Sequence, residues 1–233
     1  MIELHQFPTD YGLPNFSPFC MKVECFLKMA ELKYNIVEIA VPPKGPKKKA
    51  PFIDDGDVRM GDSELIIQYL QKKHGIDIDQ SLNPEERAIS HSTKKMLDEH
   101  LYWVLVHSRW IDDRGFTVVR PLFFGGLPPM VRSIAPIIGR SSVRKALWQA
   151  GMGRHTPDEI YAFGKADIQA VADLLGDKLY MHGPEPTLLD ACVVSYTGSV
   201  LLPPIETPLK EAVESHANLV ALNERMMQRY FPS

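Results

Sequence analysis

Apolar and polar positions in the first thirty residues follow two different periods. Residues 2–7, with apolar Ile2, Leu4 and Phe7, predict a short strand, and a stretch rich in Pro, Gly and Asn follows it. Ser17 and Pro18 then have the residue types typical of a helix cap and a first helical position. The apolar side chains after them are three or four residues apart, as on one helix face: Phe19, Val23, Phe26, Leu27 and Ala30. The pattern predicts a strand followed by a helix.

The pattern continues with shorter, strand-like runs. One is predicted at 36–41, and two more at 52–53 and 58–60 flank Asp54-Asp55-Gly56, a turn signal typical of a hairpin. A helix then opens at Asp62 and stops near Gly75. The predicted order of this first part is β-α-β-β-β-α.

Helical periods dominate from residue 83 onward. Asn83 opens a long helix that we predict to reach about Asp112, and two capping boxes open further helices. The boxes are Thr156-Pro157-Asp158-Glu159, whose helix ends at Gly176, and Thr187-Leu188-Leu189-Asp190, whose helix includes 191–200. We therefore predict an α/β domain at 1–76 and an all-α domain at 83–233.

Residues 114–155 differ from the rest of the helical half. They carry seven Arg or Lys residues and no Asp or Glu, together with several Gly and Pro residues. The Gly and Pro residues argue against one continuous amphipathic helix, so we do not expect membrane contact. Covering an active site or binding an anionic substrate are the alternatives for this segment.

Composition narrows the class of protein. A formal net charge of −3 over 233 residues gives no reason to expect nucleic acid binding. Three cysteines suit neither a disulfide framework nor a metal site. The first residues lack the basic start and apolar run of a signal peptide, and no apolar stretch is long enough to span a bilayer, so we expect a cytoplasmic location.

Four motifs together resemble the soluble glutathione transferase family over the whole chain. Ser17-Pro18-Phe19-Cys20 lies where serine-type transferases have their activating serine, and Ala50-Pro51-Phe52 resembles the family's cis-proline step. Gly61-Asp62-Ser63 is similar to its acidic-residue-plus-serine pair, and 186–191 to its capped buried helix. The resemblance implies a thioredoxin-like N-terminal domain, a helical C-terminal domain, glutathione as co-substrate and a homodimer.

A narrower resemblance rests on two segments. Residues 17–24 and Glu99-His100-Leu101-Tyr102-Trp103 look like the branch that contains the failed-axon-connections and metaxin proteins. Some members of that branch have membrane or interaction roles instead of conjugation. The resemblance therefore leaves a non-catalytic interaction module open.

Two residues are candidates for the chemistry. A glutathione thiol with an ordinary pKa of ~8.5 is only slightly ionised at neutral pH, and a hydroxyl donor at a helix N-terminus, such as Ser17, stabilises the thiolate. Ser17 as a simple cap is the alternative. Cys20 lies one turn inside the same helix, where the helix dipole can activate a cysteine. A buried structural cysteine is its alternative, and a glutathione-dependent thiol oxidoreductase using Cys20 is the competing function.

The remaining candidates would bind glutathione and its partner. Ala50, preceding Pro51, would pair with extended glutathione as an added strand does, and an ordinary edge-strand proline is the alternative for Pro51. Asp62 and Ser63 would receive the γ-glutamyl end, and Lys49 matches the family's basic position for the glycyl carboxylate. Phe19 lines the same groove by resemblance. Five side chains of the long helix would form the wall for a small electrophile, with the aromatic core of the helical domain as the alternative: Glu99, Tyr102, Trp103, His107 and Trp110.

Overall fold

The structure of the protein is a computed structural model that describes residues 1–8, 11–39 and 44–232. The N-terminal part contains a four-stranded mixed sheet. Its order is β2-β1-β3-β4, with β1 parallel to β2 and antiparallel to β3. The strands are β1 (Ile2–Gln6), β2 (Tyr34–Glu38), β3 (Phe52–Asp55) and β4 (Val58–Gly61). Val41, which the pattern assigned to the second strand, lies outside the described residues.

Two helices complete the N-terminal part, α1 (Pro18–Met29) and α2 (Ser63–His74). Apolar side chains of both helices pack with Leu4 and Ile53 from the sheet in one buried cluster. Ser17 caps α1 and Asp62 caps α2, and Gly75 ends α2 with φ +64°. The β-α-β-β-β-α order predicted from the sequence is confirmed.

The rest of the chain is helical, and its larger apolar core also includes four residues of the N-terminal part, Leu13, Phe16, Met21 and Cys25. The predicted long helix is present but is interrupted twice by a π-helical turn, at Leu97–Leu101 and His107–Ile111. The two predicted capping boxes at Thr156 and Thr187 form, and the predicted cap at Asn83 is also a capping box, with Glu86. The α-helices are α3 (Pro84–Met96), α4 (Tyr102–Val106), α5 (Asp113–Phe124), α6 (Pro129–Gln149), α7 (Pro157–Leu175), α8 (Leu188–Leu201), α9 (Pro208–Glu214) and α10 (Ala217–Tyr230).

The basic segment 114–155 is not one continuous helix, as its Gly and Pro residues predict, because α5 ends at Phe124 and α6 begins at Pro129. α6 is one continuous helix of 21 residues although it contains Pro136 and Gly139. Pro136 is buried on the inner side of the helix. A Cβ atom at Gly139 would lie 3.0 Å from the Phe124 ring, so glycine allows α6 to approach α5 closely. Pro136 and Gly139 therefore do not break α6, and both serve its packing.

Two charged residues of α1 are buried. The Lys22 ammonium lies 2.6 Å from a carboxylate oxygen of Asp98, in the first π-helical turn. The other Asp98 oxygen accepts a 3.1 Å hydrogen bond from the Tyr196 hydroxyl of α8. Glu24 accepts hydrogen bonds from Gln6 in β1 and Tyr34 in β2. α1 is thus tied by polar contacts to the helical part on one side and to the sheet on the other.

Burial and neighbouring charge act in opposite directions on Lys22. Burial alone would lower the pKa of this ammonium, but its surroundings, which include the Cys192 thiol and the Asp98 carboxylate, hold the pKa above its usual value. Burial raises the pKa of Cys192 itself to about 12, so this thiol carries no charge at neutral pH. Lys22 and Asp98 therefore form an ion pair away from water.

Candidate functional site

A cavity of about 210 Å³ lies between the sheet domain and the helical domain. Six of the site residues predicted from the sequence line it, and residues of the long helix face them. The predicted six are Phe19, Lys49, Ala50, Pro51, Asp62 and Ser63. The structure therefore brings the predicted glutathione-binding residues together at one place. We call this space the cradle.

The backbone around the cradle has two unusual features. The Ala50–Pro51 peptide bond is cis, as the resemblance at Ala50-Pro51-Phe52 implies. Asp62 has φ +94° and ψ 120°, a conformation that residues with a side chain rarely adopt. Its carboxylate caps α2 by accepting from the N–H groups of Glu64 and Leu65. Such outliers are concentrated at binding sites, so Asp62 supports a functional assignment of the cradle.

Two charges of opposite sign meet at the rim of the cradle. The Lys47 ammonium lies 3.8 Å from the Asp62 carboxylate, and both side chains are exposed. Exposed ion pairs of this kind contribute little to stability and exchange partners easily. The rim can therefore receive a zwitterionic ligand at little cost.

Ser17 does not line the cradle. It lines a second cavity of about 200 Å³, mostly aromatic and apolar, together with Phe16, Trp110 and Phe123. Phe123 belongs to α5, so the basic segment does cover part of the predicted site. Tyr102 lines both spaces, and its ring lies 5.0 Å from that of Phe19. We call this second space the aromatic cavity.

The loop before α1 fixes the position of Ser17. The Asn15 side chain is buried, accepts the Ser17 N–H at 3.0 Å and donates to the backbone carbonyl of Phe7. The Ser17 hydroxyl oxygen accepts a long, 3.5 Å bond from the Cys20 N–H. Since that bond uses only an oxygen lone pair, the hydroxyl proton can be donated to a ligand.

Cys20 is fully buried and lines neither space. Burial raises the pKa of its thiol to about 12, despite a hydrogen bond with Ser17 that acts in the other direction. A thiol in this state is a poor nucleophile, because only the thiolate reacts. The geometry favours the structural interpretation of Cys20.

Arg109 is a residue of the aromatic cavity that the sequence analysis missed. It is buried, and its guanidinium lies 3.8 Å from the Phe16 ring. It donates to the backbone carbonyls of Phe16 and Ser199 at 2.6 and 2.7 Å, and no carboxylate among the described residues pairs with it. Burial lowers its pKa to about 9, so it remains charged at neutral pH. The sequence did carry one signal of this burial, because Arg109 lies four residues after Leu105 on the apolar stripe of the long helix.

The predicted wall of the long helix is divided between the two spaces. Glu99 and Trp103 line the cradle, and Trp110 lines the aromatic cavity. His107 lines neither and packs against the Tyr161 ring at 5.6 Å. Burial lowers the pKa of His107, which keeps it neutral. His107 is therefore part of the helical core.

One group of side chains consists of residue types that commonly bind metal ions. Atoms of Glu3, His5 and Asp54 that could bind an ion all lie within 4.8 Å of one another. The Asp54 carboxylate already pairs with Arg59 through two bonds of 2.7 Å and with His5 at 2.8 Å. Because its oxygens are engaged in this way, we assign no metal to the group.

Comparison with known families finds two matches. Residues 18–115 match the glutathione S-transferase N-terminal domain, and residues 164–226 match the glutathione S-transferase C-terminal domain. α6 lies between the two matched ranges.

Whole-chain relatives carry different names. An isoprene-epoxide glutathione S-transferase of Rhodococcus sp. (strain AD45) is 30% identical over 99% of each chain. The Drosophila melanogaster protein Failed axon connections is 32% identical over all of this chain, which spans 58% of that relative's length. A Metaxin-1 homolog of Caenorhabditis briggsae is 28% identical over 99% of this chain and 74% of its own.

Solved structures share the fold. Human glutathione S-transferase T1-1 in its apo form has a TM-score of 0.62 at 18% identity, covering 99% of this chain and 84% of that one. A glutathione S-transferase of Methylobacterium radiotolerans, in complex with glutathione sulfonate, has a TM-score of 0.61 at 18% identity, covering 98% and 91%. The chain belongs to the glutathione S-transferase family, with a small mixed-sheet N-terminal domain and a helical C-terminal domain.

Proposed function

We propose that the protein is a glutathione transferase in which Ser17 stabilises the glutathione thiolate and the aromatic cavity receives a small apolar electrophile. The observation that carries the proposal is the convergence of Phe19, Lys49, Ala50, Asp62 and Ser63 on one cradle beside Ser17's cavity. The Rhodococcus relative, a glutathione transferase by name, supports the same class of reaction.

Extended glutathione fits the chemistry of the cradle from end to end. Asp62 pairs with the γ-glutamyl ammonium, and Ser63 at the start of α2 donates to the adjacent carboxylate. The Ala50 backbone pairs with the peptide part, as an added strand would. The Lys49 ammonium pairs with the glycyl carboxylate. The thiol then points past Tyr102 toward Ser17.

Three features of the aromatic cavity favour a thiolate over a thiol. The Ser17 hydroxyl donates a charge-assisted hydrogen bond, and the N-terminus of α1 adds a positive partial charge. The buried guanidinium of Arg109 acts in the same direction, because a nearby positive charge lowers the pKa of an acid. Lowering a thiol pKa by about two units corresponds to roughly 2.7 kcal/mol, which these contributions can supply.

The reaction follows from this arrangement. The thiolate sulfur attacks the electrophilic carbon, a carbon–sulfur bond forms, and the bond to the leaving group or epoxide oxygen breaks with its electron pair. The aromatic side chains hold the electrophile and exclude water. We further propose a cytoplasmic homodimer, on the family resemblance. Within the described ranges, no helix has the length and apolar character needed to cross a membrane.

Calorimetric titration with glutathione in two buffers of different ionisation enthalpy tests the proposal directly. We expect binding between about micromolar and millimolar, with proton release near neutral pH because the bound thiol ionises. No detectable binding would contradict the transferase and favour a non-catalytic interaction module, the alternative that the metaxin relative supports.

Replacing Ser17 by alanine is expected to lower conjugation about tenfold near pH 6.5 and much less at pH 9, because the thiolate forms there without help. The measurement is the pH profile of kcat/KM with a chromogenic electrophile. Thr156→Ala is the matched control, because it removes a helix cap that contributes similarly to stability but lies far from the site. Equal profiles for the wild-type protein and Ser17→Ala would exclude a role for the hydroxyl.

Thiol reactivity distinguishes the competing oxidoreductase. All three cysteines are buried, so we expect alkylation by iodoacetamide at pH 7.5 to be at least about a hundredfold slower in the folded protein than in urea. The modified residues are read by peptide mass spectrometry. Rapid modification of Cys20 alone would contradict its structural assignment and favour disulfide chemistry.

A further inference from the structure

α6 carries a large exposed apolar face. Met130, Ile134, Ile137 and Ile138 follow the i, i+4, i+7, i+8 spacing of one helix stripe, and all are exposed, Met130 to 83% and Ile137 to 70%. Trp148, on the same side of the last turn, is also exposed. Monomeric proteins rarely expose contiguous apolar patches of this kind without a use for them.

The inner face of α6 is a separate stripe. Pro136 and Leu147 are buried and Val143 packs against the core, at positions i, i+11 and i+7. These three lie on the opposite side of the helix from the exposed stripe. The exposed residues therefore are not needed to hold α6 in place, and the fold itself does not explain them.

Charge around the stripe has one sign. α6 contains four basic residues and no acidic one. Arg140 is engaged by Asp113 and the Ile111 carbonyl, whereas Arg132, Arg144 and Lys145 are exposed. The guanidinium of Arg154, just after the helix, lies over the Trp148 ring at 5.4 Å. An apolar stripe with basic flanks is complementary to a surface that is apolar inside and anionic outside.

We propose that the outer face of α6 binds the surface of an anionic lipid bilayer, lying in the plane of the headgroups. Isoleucine and methionine side chains enter the apolar layer, Trp148 lies at its boundary, and the free basic groups meet lipid phosphates. A second copy of the chain is a poorer occupant, because two such faces would place like charges together. The proposal is independent of glutathione chemistry and of the assignments at the cradle.

Co-sedimentation of the full chain with vesicles tests the proposal. We use phosphatidylcholine vesicles with and without about 30% phosphatidylserine, at about 50 mM salt. The bound fraction is expected to be about tenfold higher on the anionic vesicles and to fall on raising the salt. Ile134→Gln/Ile137→Gln should abolish binding, and Arg144→Gln/Lys145→Gln should weaken it.

Leu179→Gln/Leu202→Gln is the matched control, because both leucines are exposed but lie outside α6. It should bind as the wild-type protein does. Absence of binding to anionic vesicles, or equal binding by the isoleucine variant, would overturn the proposal. A wild-type dimer that becomes a monomer on Ile134→Gln/Ile137→Gln, seen by sedimentation without vesicles, would assign the face to a second copy and overturn it also.

Discussion

Replacing Lys22 by methionine is expected to lower the free energy of unfolding by about 3–5 kcal/mol, because Asp98 is left buried without a counter-ion. Methionine keeps most of the volume of the side chain, so the loss reports charge and not a cavity. Urea unfolding at pH 7.5, followed by far-UV circular dichroism, measures it.

Two further variants separate charge imbalance from other causes. Lys22→Met/Asp98→Asn removes both charges and keeps an oxygen acceptor for the Tyr196 hydroxyl, so at least half of the loss should return. Lys165→Met, at an exposed position of α7, is the control and should change stability by less than about 0.5 kcal/mol. A double variant as unstable as the single one would contradict the ion-pair account.

Asp190→Ala is expected to lower the free energy of unfolding by about 3–5 kcal/mol at pH 7.5. The Asp190 carboxylate is fully buried and accepts three hydrogen bonds of 2.8 Å, from the Met181 N–H, the Thr187 N–H and the Thr187 hydroxyl. Alanine leaves all three donors without a partner away from water, at roughly 1–3 kcal/mol each before relaxation. Thermal and urea unfolding measure the loss.

The pH dependence gives this prediction a second readout. Burial raises the pKa of Asp190 from its ordinary 3.8 to about 6, despite the hydrogen bonds that act against it. The stabilisation linked to this raised pKa is fully present below 3.8 and is lost as the pH rises through 6. The difference in the free energy of unfolding between the wild-type protein and Asp190→Ala should therefore be larger at pH 4 than at pH 7.5. Asp158→Ala, exposed at the start of α7, serves as the control, and a gap that narrows on acidification would contradict the assignment.

Local signals predicted most of the fold. The helix caps at Asn83, Thr156 and Thr187 and the hairpin around Gly56 each depend on a few adjacent residues. Such features can be deduced from a sequence because the backbone requirement and the residue that meets it lie side by side.

Contacts between residues that lie far apart in the chain could not be predicted from the sequence. Lys22 and Asp98 are 76 residues apart, and neither looks buried until the helical domain covers α1. Arg109 has backbone carbonyls as partners, which leave no trace in residue types. The division of the site into a cradle and an aromatic cavity likewise depends on the Tyr102 side chain. The boundary between the domains at 76–82 stays a prediction.

The Tyr102 ring can couple the binding of the two proposed substrates. Because its ring borders both the cradle and the aromatic cavity, a ligand that shifts the ring from one side changes the space on the other. Coupling of this kind is reciprocal, so glutathione must alter the affinity for the electrophile by the same factor that the electrophile alters the affinity for glutathione. The two substrates would then bind cooperatively, with the coupling set by one phenol ring.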